Sequence, residues 1–397
     1  MIKYFVYIAL LALAMLVAYS EGLFKKKSAP YITLGALCLA LGARLAVTSF
    51  PGFAADPGPE EAMAYFTASG GFAGLRTSAP PYSVPVQYFM ALFSYAGNDA
   101  GSYFRYLCAF FEIVTAWALS RVVQSMTVRS EPRLAAFLGT LMLPSGVLLG
   151  SGLACAYSFG GAFFLLALAA ALNKEPKWTA ALFALAAAFQ PYYLVLLPVC
   201  WVLPALRRTP WRSLFLMAGT YLLAMLPALL LGRPGYMTIP FFPNIPTLLS
   251  SPTFRGAPGL YSLGANAPAA PVGILACLLA VGLTYWRLSR RKKLGERKGQ
   301  LNAIAYAALC AAALLPWMPV GSLFVCELLL LALCCVHPGH ILPFLPVLFA
   351  STLSTVCAVW TERAPLPLYW ASGALFLSIV LMLLSLAFGK KRKAAAE

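Results

Sequence analysis

Apolar runs of roughly 16 to 22 residues recur along this chain, and short polar connections separate them. Each run is long enough to cross a bilayer core, where a backbone must satisfy its own hydrogen bonds, so each predicts a membrane-spanning helix. The runs cover 3–20, 30–50, 103–124, 134–150, 154–172, 177–190, 191–206, 212–231, 268–287, 301–316, 320–336, 341–360 and 366–388. Pro191 separates two short runs, which form either two spans or one re-entrant element. The predicted fold class is all-α, a polytopic integral membrane protein with about 11–13 transmembrane helices.

Positive charge is distributed unevenly between the connections. Of the 29 lysines and arginines, 22 fall in alternate connections or the C-terminal tail, and the positive-inside rule assigns these to the cytoplasm. They lie within 25–27, 121–133, 174–177, 207–212, 287–298 and 390–393. The net charge of +17 is therefore interpreted as a topology signal and not as a nucleic-acid surface. A hydrophobic fraction of 61% excludes an ordinary soluble domain.

The same rule predicts an external N-terminus and a cytoplasmic C-terminus. Residues 1–20 are interpreted as a retained span, because the basic residues follow the apolar run instead of preceding it. The whole chain, 1–397, is predicted to form one integral membrane domain with long outer loops at 51–102 and 232–267. All ten cysteines lie in or at the ends of apolar runs, which indicates neither a disulfide framework nor a metal site.

The first outer loop is partly polar and contains Asp56, one of only two aspartates in the chain. Prolines and acids at 57–61 predict the first turn of a helix, and Gly70-Gly71 predicts its end. The apolar segment Val86–Tyr95 is too short to span the bilayer, so a helix on the outer membrane surface is predicted there.

Acidic residues in this loop are the candidates for proton-transfer chemistry. A carboxylate beside a membrane is partly desolvated and more basic, so Asp56 is the candidate catalytic base; alternatively it caps the following helix. Glu60 and Glu61 either orient a substrate, bind a metal, or complement the positive helix N-terminus. Asp99 is either a second active-site acid or an ordinary residue at the start of the next helix.

Five of the six arginines outside the cytoplasmic set are candidates for phosphate binding, because arginine binds phosphate through two parallel hydrogen bonds. They are Arg44, Arg76, Arg105, Arg233 and Arg255. Each is a candidate phosphate-binding residue or a side chain that reaches lipid headgroups, and Arg44 and Arg255 rank first.

Two glutamates, Glu112 and Glu327, lie inside apolar runs, where an ionised side chain is costly. Each is expected to be neutral, to face an aqueous cavity, or to pair with a cation such as Arg44 or Arg105. His337 and His340 flank a Pro-Gly turn, where ordinary hydrogen bonding is the favoured interpretation. The chain has no Walker loop, Rossmann glycine pattern or nucleophile elbow.

Several features of residues 30–200 follow one another in a recognisable order. They are Arg44, Asp56, the helix ending at Gly70-Gly71, Val84-Pro85, Glu112, the proline-led segment 144–166 and Gln190-Pro191. In this order they resemble the GT-C glycosyltransferases, polytopic enzymes that take a sugar from a polyprenyl phosphate on the non-cytoplasmic side. The nearest members in pattern are bacterial mannosyltransferase-like and dolichyl-phosphate-glucose-dependent enzymes.

The chain departs from the family pattern at several positions. Ala154–Tyr157 replaces a Gly-Gln-x-Asp step, Val84-Pro85 replaces Tyr-Pro, and Gln190-Pro191 replaces Lys-Pro. A late His-Glu-Arg step is also expected, but Pro316–Pro319 occupies the corresponding outer position without charges. Residues 201–397 resemble the family only weakly.

The resemblance implies transfer of a hexose, mannose or glucose, to an outward-facing lipid-linked or cell-surface glycan acceptor. Asp56 would be the base, and Glu60, Glu61, Arg44, Arg76, Asp99, Arg105 and Arg255 would bind substrate. The resemblance implies no definite cofactor and leaves a divalent metal at the acids open. The expected partners are a polyprenyl-phosphate sugar, the acceptor and membrane lipid, in a bacterial plasma membrane or, in a eukaryote, the endoplasmic reticulum. Two alternatives are a non-catalytic GT-C-like subunit of a membrane complex and a lipid-glycan transporter or flippase that uses Glu112 and Glu327.

Overall fold

The computed structural model describes residues 2–49, 57–77, 82–201, 210–238, 256–266, 268–290, 292–359 and 366–388. In this part of the chain every regular secondary-structure element is a helix, and the β-pairing found there is one isolated bridge, between Gly256 and Pro319. The chain divides into two compact units, 1–252 with 355–365 and 253–354 with 366–397.

The helices are numbered in chain order. Those of the first unit are α1 Ile2–Ser20, α2 Ala29–Ser49, α3 Pro57–Ala68, α4 Val84–Phe93, α5 Ala100–Gln124, α6 Ser130–Met142, α7 Pro144–Gly146, α8 Tyr157–Leu172, α9 Pro176–Phe189, α10 Leu197–Trp201 and α11 Pro210–Leu230. Those that begin in the second unit are α12 Ala270–Arg290, α13 Arg297–Leu314, α14 Ser322–Val336, α15 Ile341–Val359 and α16 Leu368–Phe388.

Six helical segments of the described chain are long and apolar enough to cross a bilayer. They are Ala29–Thr48, Ala100–Gln124, Pro210–Leu230, Ala270–Arg290, Pro338–Val359 and Leu368–Leu386. A pair bent by 42°, Ser130–Met142 with Pro144–Gly152, makes a seventh if it is one span, and five shorter apolar helices accompany them. The all-α, multi-pass membrane fold is therefore confirmed, while the predicted number of crossings stays a prediction.

One predicted span has a different local structure. In place of a continuous helix over 191–206, the described residues form a 3₁₀ helix, Pro191–Leu196, followed by the five-residue α10. Pro191 cannot donate a backbone hydrogen bond, so α9 stops at Phe189 and the chain restarts with tighter turns.

The core of the first unit is built around α8, which is apolar on all sides and is buried along most of its length. It packs against α5 and α9, and α9 packs against α11. A row of stacked rings joins three of these helices: the ring centroids of Phe111 and Phe159 are 3.9 Å apart, and those of Phe163 and Phe189 are 5.3 Å apart. This aromatic row fixes α5, α8 and α9 as one block.

One end of this block is covered by what we call the loop layer, residues 57–77 and 82–99 together with 231–238. It contains α3, a 3₁₀ helix at Gly71–Arg76, α4 and a second 3₁₀ helix at Ser94–Asp99. Gly71 has a φ of 69°, and a Cβ there would lie 2.3 Å from Tyr95 Cζ, so glycine permits the chain to turn directly against the Tyr95 ring. The predicted loop helix, its Gly-Gly end and the short apolar helix are all present.

A polar cluster closes the other end of the block. Glu21, just beyond α1, accepts hydrogen bonds from Trp117 Nε1 at 2.8 Å and Arg133 Nη2 at 2.9 Å, and from Arg121 Nη1 at 3.4 Å. These contacts join the ends of α1, α5 and α6. The Glu21 carboxylate balances part of the positive charge that is predicted for the cytoplasmic side.

In the second unit α13 packs against α12, α14 and α16 and is buried along most of its length, as is α14. Hydroxyl groups connect the surrounding segments: Ser262 Oγ lies 2.6 Å from Ser372 Oγ, and Ser354 Oγ donates to the Gly256 carbonyl at 2.9 Å. These bonds satisfy polar groups among apolar helices, as a membrane interior requires.

Candidate functional site

The C-terminal end of α11 places an arginine inside the loop layer. Gly232 adopts a left-handed φ of 96°, and its amide bonds to the Leu229 carbonyl at 3.0 Å. The Arg233 amide bonds to the Ala228 carbonyl, also at 3.0 Å. This pair of bonds is a Schellman motif, which ends the helix and turns the chain back over its last turn. Arg233 is consequently held by backbone geometry close to the bundle.

The Arg233 side chain is only 4% exposed. Its Nη1 donates to Gln87 Oε1 at 2.9 Å, and Gln87, itself fully buried, donates through Nε2 to the Tyr82 carbonyl at 2.6 Å. Arg233 Nε is buried and has no hydrogen-bond partner in the part of the chain that the structure describes. No carboxylate of the described residues forms an ion pair with this guanidinium. Within this part of the chain the group is therefore a buried cation without a counter-charge.

The surroundings of Arg233 favour binding of an anion. Burial lowers the pKa of the Arg233 guanidinium, whereas the nearby Tyr88 and Tyr65 phenols raise it. Since an arginine stays protonated even when its pKa falls, the positive charge remains, and no described carboxylate compensates its desolvation. An anion bound at Nε would supply both the missing charge and the missing acceptor.

Arg76 brings a second guanidinium group to the same turn. This residue ends the 3₁₀ helix Gly71–Arg76, and its Nε donates to the Leu231 carbonyl at 3.0 Å, two residues before Arg233. In contrast to Arg233, the Arg76 side chain is exposed. A buried arginine, Arg233, and an exposed one, Arg76, thus lie at the same turn. This turn joins the two predicted outer loops at one end of the bundle.

Tyr88 fixes α4 to α11 beside these arginines. Its hydroxyl donates to the Ala224 carbonyl at 3.0 Å and accepts from the Ala228 amide at 3.3 Å, so it is inserted into the helix ladder next to Pro227. Burial raises the pKa of the Tyr88 phenol, which stays a neutral donor at physiological pH. Tyr88 therefore bonds to the amide of Ala228, the residue whose carbonyl accepts from the Arg233 amide.

Arg44 lies in a different environment, inside the helical bundle. Its Nε donates to Glu112 Oε2 at 2.8 Å, and its Nη2 contacts the same oxygen. Its Nη1 donates to the Ala40 and Leu141 carbonyls at 2.9 and 3.0 Å. The two side chains are 6% and 3% exposed. The pair joins α2, α5 and α6, and Arg44 has its donors directed at protein acceptors.

The second Glu112 oxygen faces the π-helical turn Val147–Gly152. A Cβ on Gly150 would lie 2.0 Å from Glu112 Oε1, so the absence of a side chain there makes room for the carboxylate. Ser151 lies beside it, but Oε1 accepts no hydrogen bond of ordinary geometry. Of the pairings that the sequence leaves open for Glu112, the structure selects Arg44.

The remaining predicted site residues are dispersed. Asp99 is exposed at the N-terminal end of α5, and Arg105 is half-buried one turn into that helix. Glu61 is exposed on α3, and Glu60 lies on the same helix. Asp56 and Arg255 lie outside the described residues. Of the predicted set, the structure brings Arg76 to the loop layer beside Arg233, whereas Arg44 is separated from it in the ion pair with Glu112.

Gln87 is the site residue that sequence reasoning missed. It is an amide in the otherwise apolar α4, and this isolated polarity was the available signal. Arg233 was one of five arginines proposed to bind phosphate but was not ranked above the others. Its burial depends on the Schellman turn and on the docking of α4, neither of which is visible in a hydropathy pattern.

In the second unit Glu327 is fully buried within α14, and His337 Nδ1 accepts a hydrogen bond from the Gly339 amide at 3.3 Å. The His337 contact is the local hydrogen bonding expected at that turn. Within the described ranges no group of three His, Cys, Asp or Glu side chains is arranged to hold a metal ion.

Comparisons of the chain with models of known protein families and with curated proteins found no match.

Proposed function

We propose that this protein is a membrane glycosyltransferase that moves a hexose, mannose or glucose, from a polyprenyl-phosphate sugar to an outward-facing lipid-linked or cell-surface acceptor. The observation that supports this proposal most is the buried Arg233 guanidinium, which has an unpartnered Nε and no carboxylate partner among the described residues. A phosphate at the membrane surface is the anion that this arrangement would suit.

In the proposed reaction Asp56 removes the proton from an acceptor hydroxyl, and that oxygen attacks the anomeric carbon of the sugar. The bond between this carbon and the phosphate oxygen breaks, and the electron pair leaves with the polyprenyl phosphate. Arg233 and Arg76 stabilise the departing anion, whose charge increases in the transition state. The configuration at the anomeric carbon is inverted, and the proton remains on Asp56 until it is released to water.

The other predicted residues have supporting roles in this proposal. Glu60, Glu61 and Asp99 orient the acceptor, and Arg105 and Arg255 contribute positive charge around the phosphate. A divalent cation held by Glu60 or Glu61 would contribute positive charge around the same phosphate oxygens. The proposed location is a bacterial plasma membrane, or the endoplasmic reticulum membrane in a eukaryote.

The proposal is tested with the full chain in nanodiscs, with radiolabelled polyprenyl-phosphate mannose or glucose and a membrane glycan extract. Asp56→Asn should abolish sugar transfer while leaving binding of the unlabelled polyprenyl phosphate intact. Arg233→Gln should weaken that binding by about 10- to 150-fold, since one charge-assisted contact contributes about 1.5–3 kcal/mol.

Arg129→Gln is the matched control, because Arg129 is an exposed arginine that precedes α6. This variant should change neither sugar transfer nor binding of the unlabelled polyprenyl phosphate. Full transfer by the Asp56→Asn variant would contradict the role of Asp56, and unchanged lipid binding by Arg233→Gln would contradict the phosphate site.

A second candidate, a non-catalytic subunit with the same architecture, is favoured by the Arg44–Glu112 pair. Two charged residues at family-like positions satisfy each other inside the bundle and do not face a substrate. Stoichiometric co-purification of a partner, with no transfer from either labelled donor, would support this candidate and exclude the transferase. Proton-coupled glycan uptake would instead support a transporter.

A further inference from the structure

A strongly basic turn joins α12 to α13 in the second unit. We call residues 287–290 and 292–298 the basic turn. They contain one acid, Glu296, and six cations, which are Arg287, Arg290, Lys292, Lys293, Arg297 and Lys298. Because α12 is long enough to cross a bilayer and the basic turn begins in its last turn, this charge lies at the border of the membrane.

A tryptophan marks the depth of the basic turn. Trp286, one residue before it, is 59% exposed, and the guanidinium carbon of Arg290 lies 5.4 Å from the centre of its ring. Tryptophan is enriched where lipid headgroups meet the acyl chains, because its ring is apolar and its N–H is polar. The stacked Arg290 is therefore at the level of the headgroups.

Hydrogen bonds hold the basic turn in one conformation. Lys292 has a left-handed φ of 56°, and its amide donates to the Ser289 carbonyl at 2.9 Å where α12 ends. On the other side of the turn Gln300, a buried side chain, donates through Nε2 to the Leu294 carbonyl at 2.9 Å. The cations are thus carried by a folded turn, which gives them defined positions.

Gly299 permits this turn to close onto the first turn of α13. A Cβ at Gly299 would lie 2.0 Å from the Lys293 carbonyl oxygen and 3.4 Å from Lys293 Cβ, so a larger residue does not fit there without displacing the turn. Lys298 is the residue before Gly299, and the charge of Lys293 acts on it. The close approach at Gly299 therefore brings two lysines together.

The charge of these two lysines is not balanced within the described part of the chain. Lys298 is half-buried, and burial together with the charge of Lys293 lowers the pKa of its ammonium group, while Glu296 raises it. No carboxylate of the described residues forms an ion pair with either lysine, whereas Arg133 in the first unit has Glu21. An anion bound to both lysines would offset their repulsion and the lost hydration of Lys298.

We propose that the basic turn binds the headgroup phosphate of an anionic membrane lipid between Lys293 and Lys298. Arg290, beside Trp286, adds positive charge at the same depth. The ligand is a lipid and not a dissolved phosphate, because Trp286 and the end of α12 place these cations in the headgroup layer. This site depends neither on the proposed transferase activity nor on which side of the membrane the turn faces.

The test uses the full chain in phosphatidylcholine nanodiscs that contain traces of photoreactive lipid. Phosphatidylglycerol with a diazirine on its headgroup should label peptides of the basic turn more strongly than phosphatidylcholine with a diazirine on its choline. The ratio of the two labelling yields measures the preference for the anionic headgroup. Raising the ionic strength should lower this ratio, since salt screens charges at a surface.

Lys293→Gln combined with Lys298→Gln should lower the ratio by about 25-fold, because each cation near an anionic membrane surface contributes about fivefold. Lys25→Gln combined with Lys27→Gln is the matched control. It removes the same charge from two exposed lysines of the first unit, and it should leave the ratio at the basic turn unchanged.

A pair of glycine variants separates the fixed arrangement from the amount of charge. Gly299→Ala keeps all six cations but forces the Lys293 carbonyl away from α13, so the ratio should fall by about fivefold, the contribution of one lysine. Gly295→Ala lies in the same turn, where the glycine has open space around it, and should leave the ratio unchanged.

The proposal is overturned if the basic turn shows no preference for phosphatidylglycerol, or if the two pairs of lysine variants behave alike. Equal ratios for the wild type and Gly299→Ala would overturn the fixed arrangement of the two lysines. Inorganic phosphate should compete no better than sodium chloride of the same ionic strength, and stronger competition would assign the turn to a dissolved anion. Thermal unfolding of each variant checks that the protein remains folded.

Discussion

At the scale of single residues, two arginines of this protein have opposite electrostatic situations. Arg44 is buried and paired with Glu112, and it also donates to two carbonyls. Arg233 is equally buried, but among the described residues its side chain donates to a neutral amide and has no carboxylate partner. The Arg44 pair joins helices and carries its own counter-charge, whereas no described residue supplies a counter-charge to Arg233.

Removal of one partner of the Arg44–Glu112 pair should destabilise the bundle. Glu112→Ala leaves a buried cation without its counter-charge, which costs about 3–5 kcal/mol. The double variant Arg44→Met with Glu112→Leu should recover most of this loss, because both charges are gone and the volume is filled. Unfolding of the detergent-solubilised variants measures both effects.

Glu131→Ala provides the control for this pair. Glu131 forms an exposed ion pair with Lys26 at 3.2 Å, and an exposed pair contributes about 0–1 kcal/mol. A loss for Glu112→Ala as small as the loss for Glu131→Ala would mean that the buried pair does not hold α2 against α5.

At the scale of elements, the loop layer is positioned by its turns. Gly232 ends α11 and directs Arg233 inward, while Gly70 and Gly71 return the chain from α3 so that Arg76 reaches the same turn. The hydroxyl of Tyr88 then fixes α4 to α11. Small changes in these turns should therefore alter the arginine site without unfolding the bundle.

Gly71→Ala and Gly70→Ala form a matched pair for this layer. Both positions have left-handed backbone, at φ of 69° and 76°, so each alanine adds strain of about 1 kcal/mol. Only at Gly71 would the new Cβ meet the Tyr95 ring, at 2.3 Å, since Gly70 has open space. Limited proteolysis should therefore cut the loop layer faster in Gly71→Ala, and equal rates would contradict this packing.

At the scale of the whole molecule, the two ends of the first unit differ in charge and contacts. The loop layer covers one end, and Glu21 with Arg121 and Arg133 closes the other. Helix α5 connects them: its 25 residues correspond to about 37 Å, more than the bilayer core. We predict from this length that the two ends face opposite sides of the membrane.

The positive-inside rule predicts which side each end faces. In a background without the native cysteines, Asp56→Cys and Asp99→Cys should react with a membrane-impermeant maleimide in intact cells. Arg129→Cys, beyond the C-terminal end of α5, should react only after permeabilisation. Reaction of Arg129→Cys from outside, with protection of Asp56→Cys, would invert the topology and contradict the proposed transferase.

The sequence determined the helices of this protein and the composition of its loops. Apolar runs predicted α5, α11, α12 and α16 because the bilayer imposes both their length and their hydrogen bonding. Prolines, acids and the Gly-Gly step predicted α3 and its end, since these signals act on neighbouring residues. Local rules also placed an interruption at Pro191, although they did not decide how the chain continued after it.

Only the tertiary structure decided which charged groups meet. Glu112 could have paired with Arg44 or Arg105, and the packing of α2 against α5 and α6 selected Arg44. Gln87 and Arg233 are 146 residues apart, and they come together because α4 docks on the last turn of α11. Contacts of this kind depend on how helices pack in three dimensions, and the hydropathy of each helix carries no record of them.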